Sequence, residues 1–273
     1  MLNQETKQKI IRHYDFVSPY YQKLWGNHIH HGYYLTGKES KEEATENLIK
    51  LIASKAKIKK GSKLLDIGCG IGGTSFWLAK NYSCDVTGIT ISPVQVEMAE
   101  KISSEINISN KPKFRIMDAN NLDIRDKYNV LWAVEMISHL QKRNEFFNKC
   151  ANILDQKGKF CIADWFKEEN LNKNKEERYI RPINDRMMVS LQSSKDYIKG
   201  LERNGLKLIY HEDISDRVKK TWDFCLDIIK RKEFWTLALK HGGEFVDFLK
   251  AFQDMKDGFD SGVLRYEILV FKK

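Results

Sequence analysis

Three groups of residues in this chain carry side chains that do chemistry. The stretch "WGNHIHHGYY" (25–34) sets His28, His30 and His31 among aromatics, an arrangement open to a metal site, a catalytic cluster or packing. "LLDIGCGIGGT" (64–74) brings Gly68, Gly70, Gly72 and Gly73 together behind Asp66. Glycines after a strand let backbone approach a ligand and turn sharply into a helix. "VEMISHL" (134–140) and "CIADWF" (161–166) put Glu135, His139 and Asp164 at the ends of two apolar runs. A His beside an Asp can serve as base and orienting carboxylate. The clustered histidines lack a partner carboxylate and the i, i+4 helix spacing that places two ligands on one face, so no metal is expected.

The elements that position these groups follow from changes of apolar period. Short buried strands are predicted at 63–68, 84–90, 113–118, 128–134 and 158–166. Helices are predicted at 74–82, from Ser92-Pro93 to about 106, and at 142–154, with Pro93 at a first helical position where its missing N–H costs nothing. Strands alternating with helices predict an α/β fold with a parallel sheet, and ligands beyond the carboxyl ends of its strands. A helix over 193–205, a strand over 206–214, amphipathic helices over about 215–255 and a closing strand complete the chain. Repeats and Pro- or Gly-rich linkers are absent. The organisation is read as one domain, 1–273, with a core at about 44–166, 193–214 and 262–273 and helical additions at 1–40, 167–192 and 215–258.

Composition narrows the class. With 273 residues, 42% of them apolar, the chain can bury a core without staples. Five scattered cysteines, odd in number and without a CxxC pair, together with no signal-like amino terminus, predict reduced thiols and a cytoplasmic protein. No apolar run reaches the roughly 18 residues of a membrane span. The net charge of +9 admits nucleic acid or an anionic surface, yet acidic residues are interleaved throughout, as in "KEENLNKNKEER" (167–178). The basic run Arg217–Lys232 alternates with apolar residues, as a solvated helix face does, so no nucleic-acid partner is expected.

Gly68, Gly70 and Gly73 satisfy GxGxxG, so a dinucleotide dehydrogenase has to be weighed. That site calls for an acid at the end of the second strand. Ile89-Thr90 stands there instead, with Asp85 at the strand's other end, while Asp66 sits beneath the loop, where a carboxylate suits a ligand's ammonium. The acid followed by GxGxG resembles the class I S-adenosylmethionine-dependent methyltransferases. This resemblance implies S-adenosyl-L-methionine as cofactor and S-adenosyl-L-homocysteine as product. Asp118 and Ala119 match the adenine site, and Val134 falls at the cofactor side of the fourth strand. "GITISPVQ" (88–95) is similar to the branch containing γ-tocopherol, sterol and cyclopropane-fatty-acid methyltransferases, which implies ribose contacts from Thr90 and Gln95 with Ser92 beside them. The amino-terminal "YD" and "WGNHIHHGYY" resemble the same branch, placing His30 and His31 near the methionine carboxylate and Tyr14 and Tyr33 in a lid.

The resemblance implies a Rossmann-like, seven-stranded, mostly parallel sheet with an antiparallel last strand under a helical lid. It supports His139 in chemistry and exposes two departures. Ser138 stands where the tocopherol and cyclopropane enzymes carry Glu, and Asp164 where the tocopherol enzymes carry a neutral residue. Sugar-hydroxyl and phosphoethanolamine methyltransferases share a His and an Asp at these places, which favours O- or N-methylation over C-methylation. Trp165, Phe166, Met187, Met188, Trp222, Phe234, Trp235 and Phe259 suit the walls of an apolar acceptor site for a sterol, terpenoid, phenolic or alkaloid natural product, although such spacing also suits a core. The expectation is methylation of a small hydrophobic metabolite, with Trp165, Met187, Trp222 and Tyr33 as acceptor contacts. Phosphoethanolamine or small-amine N-methylation is the alternative, and a non-catalytic or RNA-associated scaffold a weaker one. A homodimer is left open.

Overall fold

The computed structural model describes residues 4–232, 235–236 and 242–273. Its centre is a seven-stranded sheet in the order β3-β2-β1-β4-β5-β7-β6. β1 (Lys63–Ile67), β2 (Asp85–Thr90), β3 (Lys113–Ile116), β4 (Tyr128–Val134) and β5 (Leu154–Lys167) run parallel. β7 (Leu264–Lys272) lies antiparallel to both β5 and β6 (Lys207–Asp213). The fold is the Rossmann-like arrangement expected.

The central strands β1 and β4 and the second half of β5 are buried on both faces because helices cover both sides of the sheet, whereas the edge strand β3 buries only Phe114. Alternate residues enter opposite cores: Leu64, Trp132 and Ile268 join one, Leu65, Leu131 and Leu269 the other. The crossover helices begin where the sequence provides caps. Ser40 and Glu43 form a capping box at α2 (Lys41–Ala56), and Ser92 accepts from the Gln95 N–H at α4 (Pro93–Glu105). α3 (Gly73–Tyr82) and α5 (Arg143–Ile153) complete the crossovers, and β5 starts four residues before the expected 158, directly from the end of α5. The strand order reverses at β1, so β1 and β4 flank the crevice in which such sheets bind ligands.

Three helical segments lie outside this core. α1 (Gln4–Trp25) packs against α4, and Arg181–Met187 and Lys220–Ile229 pack against the long helix Gly243–Asp260. Phe234, one of the expected acceptor walls, lies outside the described residues.

Candidate active site

One cavity opens at the carboxyl ends of β1, β2 and β4 and is lined by Asp66, the glycine loop, Asp118, Glu135, His139 and the 27–31 segment. Gly68 leaves β1 with φ +77°, and a Cβ there would stand 2.6 Å from Met136, so only glycine fits between the loops after β1 and β4. Gly70 lines the cavity. Gly72 corrects an expectation: it caps α3 against Phe114 and Phe76, off the cavity, and shapes the turn instead. Gly73 carries a role missed in the sequence, because a Cβ there would meet the Asn27 carbonyl at 1.9 Å. The absence of a side chain lets the 27–31 segment lie on the start of α3.

Asp66 is buried, and the Ser75 hydroxyl donates to its Oδ2 at 2.6 Å. Burial pushes its carboxyl up to about 7, with the Ser75 bond working against that shift. A cation placed beside it would restore the charged form. At the far side, Asp118 Oδ1 accepts from the Asn120 backbone and side chain, and Oδ2 takes Lys7 at 2.8 Å. Ala119 and Asn120 line the cavity beside it, and the Asn120 Oδ1 is buried without a partner among the described residues.

Between these ends, the Thr90 hydroxyl donates to Gln95 Oε1 at 2.5 Å, and Gln95 Nε2 donates to Ser18 of α1 at 3.1 Å. Both Thr90 and Gln95 line the cavity. Ser92 does not: its hydroxyl is spent on the Gln95 N–H and on Asp15, so its expected cofactor contact is replaced by a structural one. Val134 also lines the cavity. α1 thus reaches Asp118 through Lys7, Ser92 through Asp15 and Gln95 through Ser18.

The other end is built by residues distant in sequence. Tyr14 Oη lies 3.0 Å from His139 Nε2, and His139 Nδ1 lies 3.0 Å from the Met188 carbonyl. A carbonyl only accepts, so Nδ1 carries the hydrogen and Nε2 accepts from Tyr14. Burial lowers the His139 pKa and keeps the ring neutral. Asp164 does not orient this ring, contrary to the sequence expectation. Its two oxygens accept from the backbone N–H groups of Ser138 at 2.9 Å and Trp165 at 2.8 Å, so it pins the β4 loop from the sheet interior, off the cavity. Burial pushes its pKa up to about 6, against the pull of those bonds.

Glu135 is the carboxylate that meets a histidine. Its Oε1 accepts from the His31 backbone N–H at 2.7 Å, the His31 ring Nδ1 at 3.0 Å and the Tyr266 hydroxyl at 2.8 Å. Burial opposes its charge, yet the His31 contacts hold its pKa below the usual value. Glu135 has φ +53°, a left-handed conformation that costs a non-glycine residue about 1–2 kcal/mol. His30 lies beneath, 2.9 Å from the His31 carbonyl and 3.4 Å from the Thr74 hydroxyl.

Trp165, Met187 and Trp222 line this end of the cavity, joined by Phe248 and Phe252 of the last helix, which the sequence reading passed over. Tyr33 does not; its backbone N–H bonds to the Ala44 carbonyl and its ring packs against the core. Phe166 is buried in the opposite core, Met188 contributes only its carbonyl, and Trp235 is exposed. Among the described residues no group of three or more His, Cys, Asp or Glu is placed to hold a metal ion, and no helix is long and apolar enough to cross a membrane.

A buried carboxyl awaiting a cation under a glycine loop, with a carboxylate and an orphaned amide oxygen at the opposite end, fits the ammonium and adenine ends of S-adenosylmethionine. This fold and cofactor define a class I methyltransferase. A family model described as mycolic acid cyclopropane synthetase matches residues 2–224, and the chain belongs to that family. It is 27% identical to a probable chloroplastic tocopherol O-methyltransferase of Oryza sativa subsp. japonica, over 98% of this chain and 78% of that protein. It is 28% identical to norajmaline N-methyltransferase of Rauvolfia serpentina, over 98% and 99%. Among solved structures, a mycolic acid cyclopropane synthase complexed with SAH and CTAB superposes with a TM-score of 0.88 at 16% identity, covering 98% of each chain. The protein is an S-adenosylmethionine-dependent methyltransferase.

Proposed function

We propose that the protein methylates an oxygen or nitrogen of a small, hydrophobic metabolite, with α1 and the segments 167–192 and 215–258 closing over a core that forms one domain with them. The observation that carries this reading is the Tyr14–His139 hydrogen bond, 3.0 Å long, at the aromatic end of the cavity. Bound S-adenosylmethionine supplies an electrophilic methyl group on a sulfonium. Asp66 holds the ammonium, Gly68 and Gly70 let backbone approach the ligand, and Asp118 with Ala119 receives the adenine; Thr90 and Gln95 face the ribose.

The acceptor's proton needs a place to go. As the acceptor loses it to Tyr14 Oη, the Tyr14 proton passes to His139 Nε2, and His139 becomes an imidazolium whose Nδ1–H stays on the Met188 carbonyl. A ring kept neutral by burial is ready for that step. Trp165, Trp222, Phe248 and Phe252 exclude water and suit an apolar acceptor body.

Among the described residues Lys7 is the one Lys or Arg lining the cavity, and Asp118 engages it, so an anionic phosphobase finds little support. Five buried, unpaired cysteines support a reducing compartment such as the cytosol. The test is incubation with methyl-labelled S-adenosylmethionine and a cell extract, followed by partition between organic and aqueous phases. Label in the organic phase is expected; label confined to small aqueous molecules would favour the amine or phosphobase alternative.

A further inference from the structure

His31 is one of the most enclosed polar residues of the cavity wall, 2% exposed. Its Nδ1 faces Glu135, a carboxylate that only accepts, so Nδ1 carries a hydrogen, and in the neutral ring Nε2 presents a bare lone pair. That Nε2 is buried and has no partner among the described residues. Phe259 and Tyr266, which do not line the cavity, back the ring, while Trp222 and Trp165, which do, stand with centroids 5.2 and 5.7 Å from it. The indole Nε1 atoms of both tryptophans are likewise buried and unpartnered. Buried polar groups in native structures are satisfied, and those that are not point to a missing partner.

The His31 ring thus offers an acceptor lone pair, and each of its two neighbouring indoles carries an unanswered donor. A hydroxyl donates to Nε2 and accepts from an indole N–H, whereas a carboxylate would meet a bare lone pair with the Glu135 charge behind it. We propose that His31, held by Glu135, anchors a hydroxyl of the acceptor molecule between Trp165 and Trp222 and so selects hydroxylated aromatic or alicyclic acceptors. This rests on the acceptor site proposed above and moves His31 away from the methionine carboxylate. A site that hydrogen-bonds a substrate hydroxyl discriminates strongly against the analogue lacking it.

The test uses the whole chain with isotope-labelled histidine nitrogens, saturated with SAH, and two probes of equal shape, p-cresol and toluene. His31→Phe identifies the His31 signals, and His31→Gln, which keeps a donor toward Glu135, serves if the phenylalanine variant does not fold. The expected result is that p-cresol moves the His31 Nε2 resonance, toluene does not, SAH alone leaves it in place, and the variant's Kd for SAH changes less than about threefold. Movement with SAH alone, equal movement with both probes, or no movement with p-cresol would each overturn the proposal. Methyl transfer plays no part in this readout, so failure to find an acceptor in the extract would sink the proposed function and leave this test standing.

Discussion

Replacing Asp66 with asparagine asks whether the glycine loop is built around a cation. Burial raises the Asp66 carboxyl from 3.8 to about 7. The folded state therefore holds this proton more tightly than the unfolded chain, and its contribution to stability falls as pH rises from about 4 to about 7. Above that range the penalty approaches three units, or about 4 kcal/mol at 1.36 kcal/mol per unit. Asparagine keeps an oxygen for the Ser75 hydroxyl and escapes the penalty, so ligand-free Asp66→Asn gains Tm relative to the parent as pH is raised. Cofactor binding moves the other way, because the ammonium needs the carboxylate. SAH affinity of the parent, measured by calorimetry, should rise about tenfold per pH unit below 7 and level above it, a loss of about 30-fold, or about 2 kcal/mol, at pH 5.5. Asp66→Asn should bind more weakly at pH 8 and show a flat profile in this respect. Lys41 also titrates near here, since burial lowers its ammonium to about 7, and subtracting the variant's profile removes its share. Parallel pH profiles for the two proteins, or equal affinity at pH 8, would refute the assignment.

Lys7→Met removes the cation 2.8 Å from Asp118. The pair is partly exposed and worth at most about 1 kcal/mol, so SAH should bind up to about fivefold tighter with less salt dependence; a clear weakening would make Lys7 a ligand contact instead. Tyr14→Phe and His139→Gln should each cut methyl transfer by about a hundredfold or more while leaving the SAH Kd within about threefold, and unchanged turnover would remove the pair from the chemistry. Gly73→Ala forces the Asn27 carbonyl aside, so proteolysis within 26–40 should accelerate with the core intact, and a wild-type cleavage pattern would count against that close approach. Asp164→Asn leaves one of the Ser138 and Trp165 N–H groups without its carboxylate oxygen, a loss of about 1–3 kcal/mol, but escapes the charge burial that raises Asp164 to about 6, so its Tm deficit should be largest near pH 4 and shrink as pH rises through 6. A shifted pH–rate profile in that variant with Tm unchanged would restore Asp164 as the partner of His139.

What the sequence made legible is what local spacing controls. Continuous apolar runs named the parallel strands, and Ser92-Pro93 and the glycines marked where helices follow them, which located Asp66 and Asp118 on one edge of the sheet. Pairings across long stretches of chain were beyond that reach. Glu135 meets His31 and Tyr266, and His139 meets Tyr14 and Met188, across segments whose contacts no periodicity encodes. Asp164 misled because adjacent strand ends in sequence logic do not fix where a side chain turns, and two backbone N–H groups took its oxygens. Tyr33 misled because the chain leaves the cavity wall after His31: the Gly32 N–H turns to the Thr221 hydroxyl and the Tyr33 N–H to the Ala44 carbonyl, so the Tyr33 ring packs on the core.

One signal was present and went unread. Along α1, Lys7, Ile10, Tyr14, Val17, Ser18 and Tyr21 follow i, i+3 and i+4 spacing, the stripe that faces a core. Ile10 and Val17 are buried as that stripe requires. Polar residues in such a stripe need partners, and three of them find one in the crevice: Lys7 at Asp118, Ser18 at Gln95, Tyr14 at His139. From Lys7 to Tyr14 a helix spans about 10 Å at 1.5 Å per residue, which carries it from Asp118 to His139 across the crevice. The Tyr14–His139 hydrogen bond forms only with this helix seated, so under the proposed mechanism covering the crevice and assembling the base would be one event.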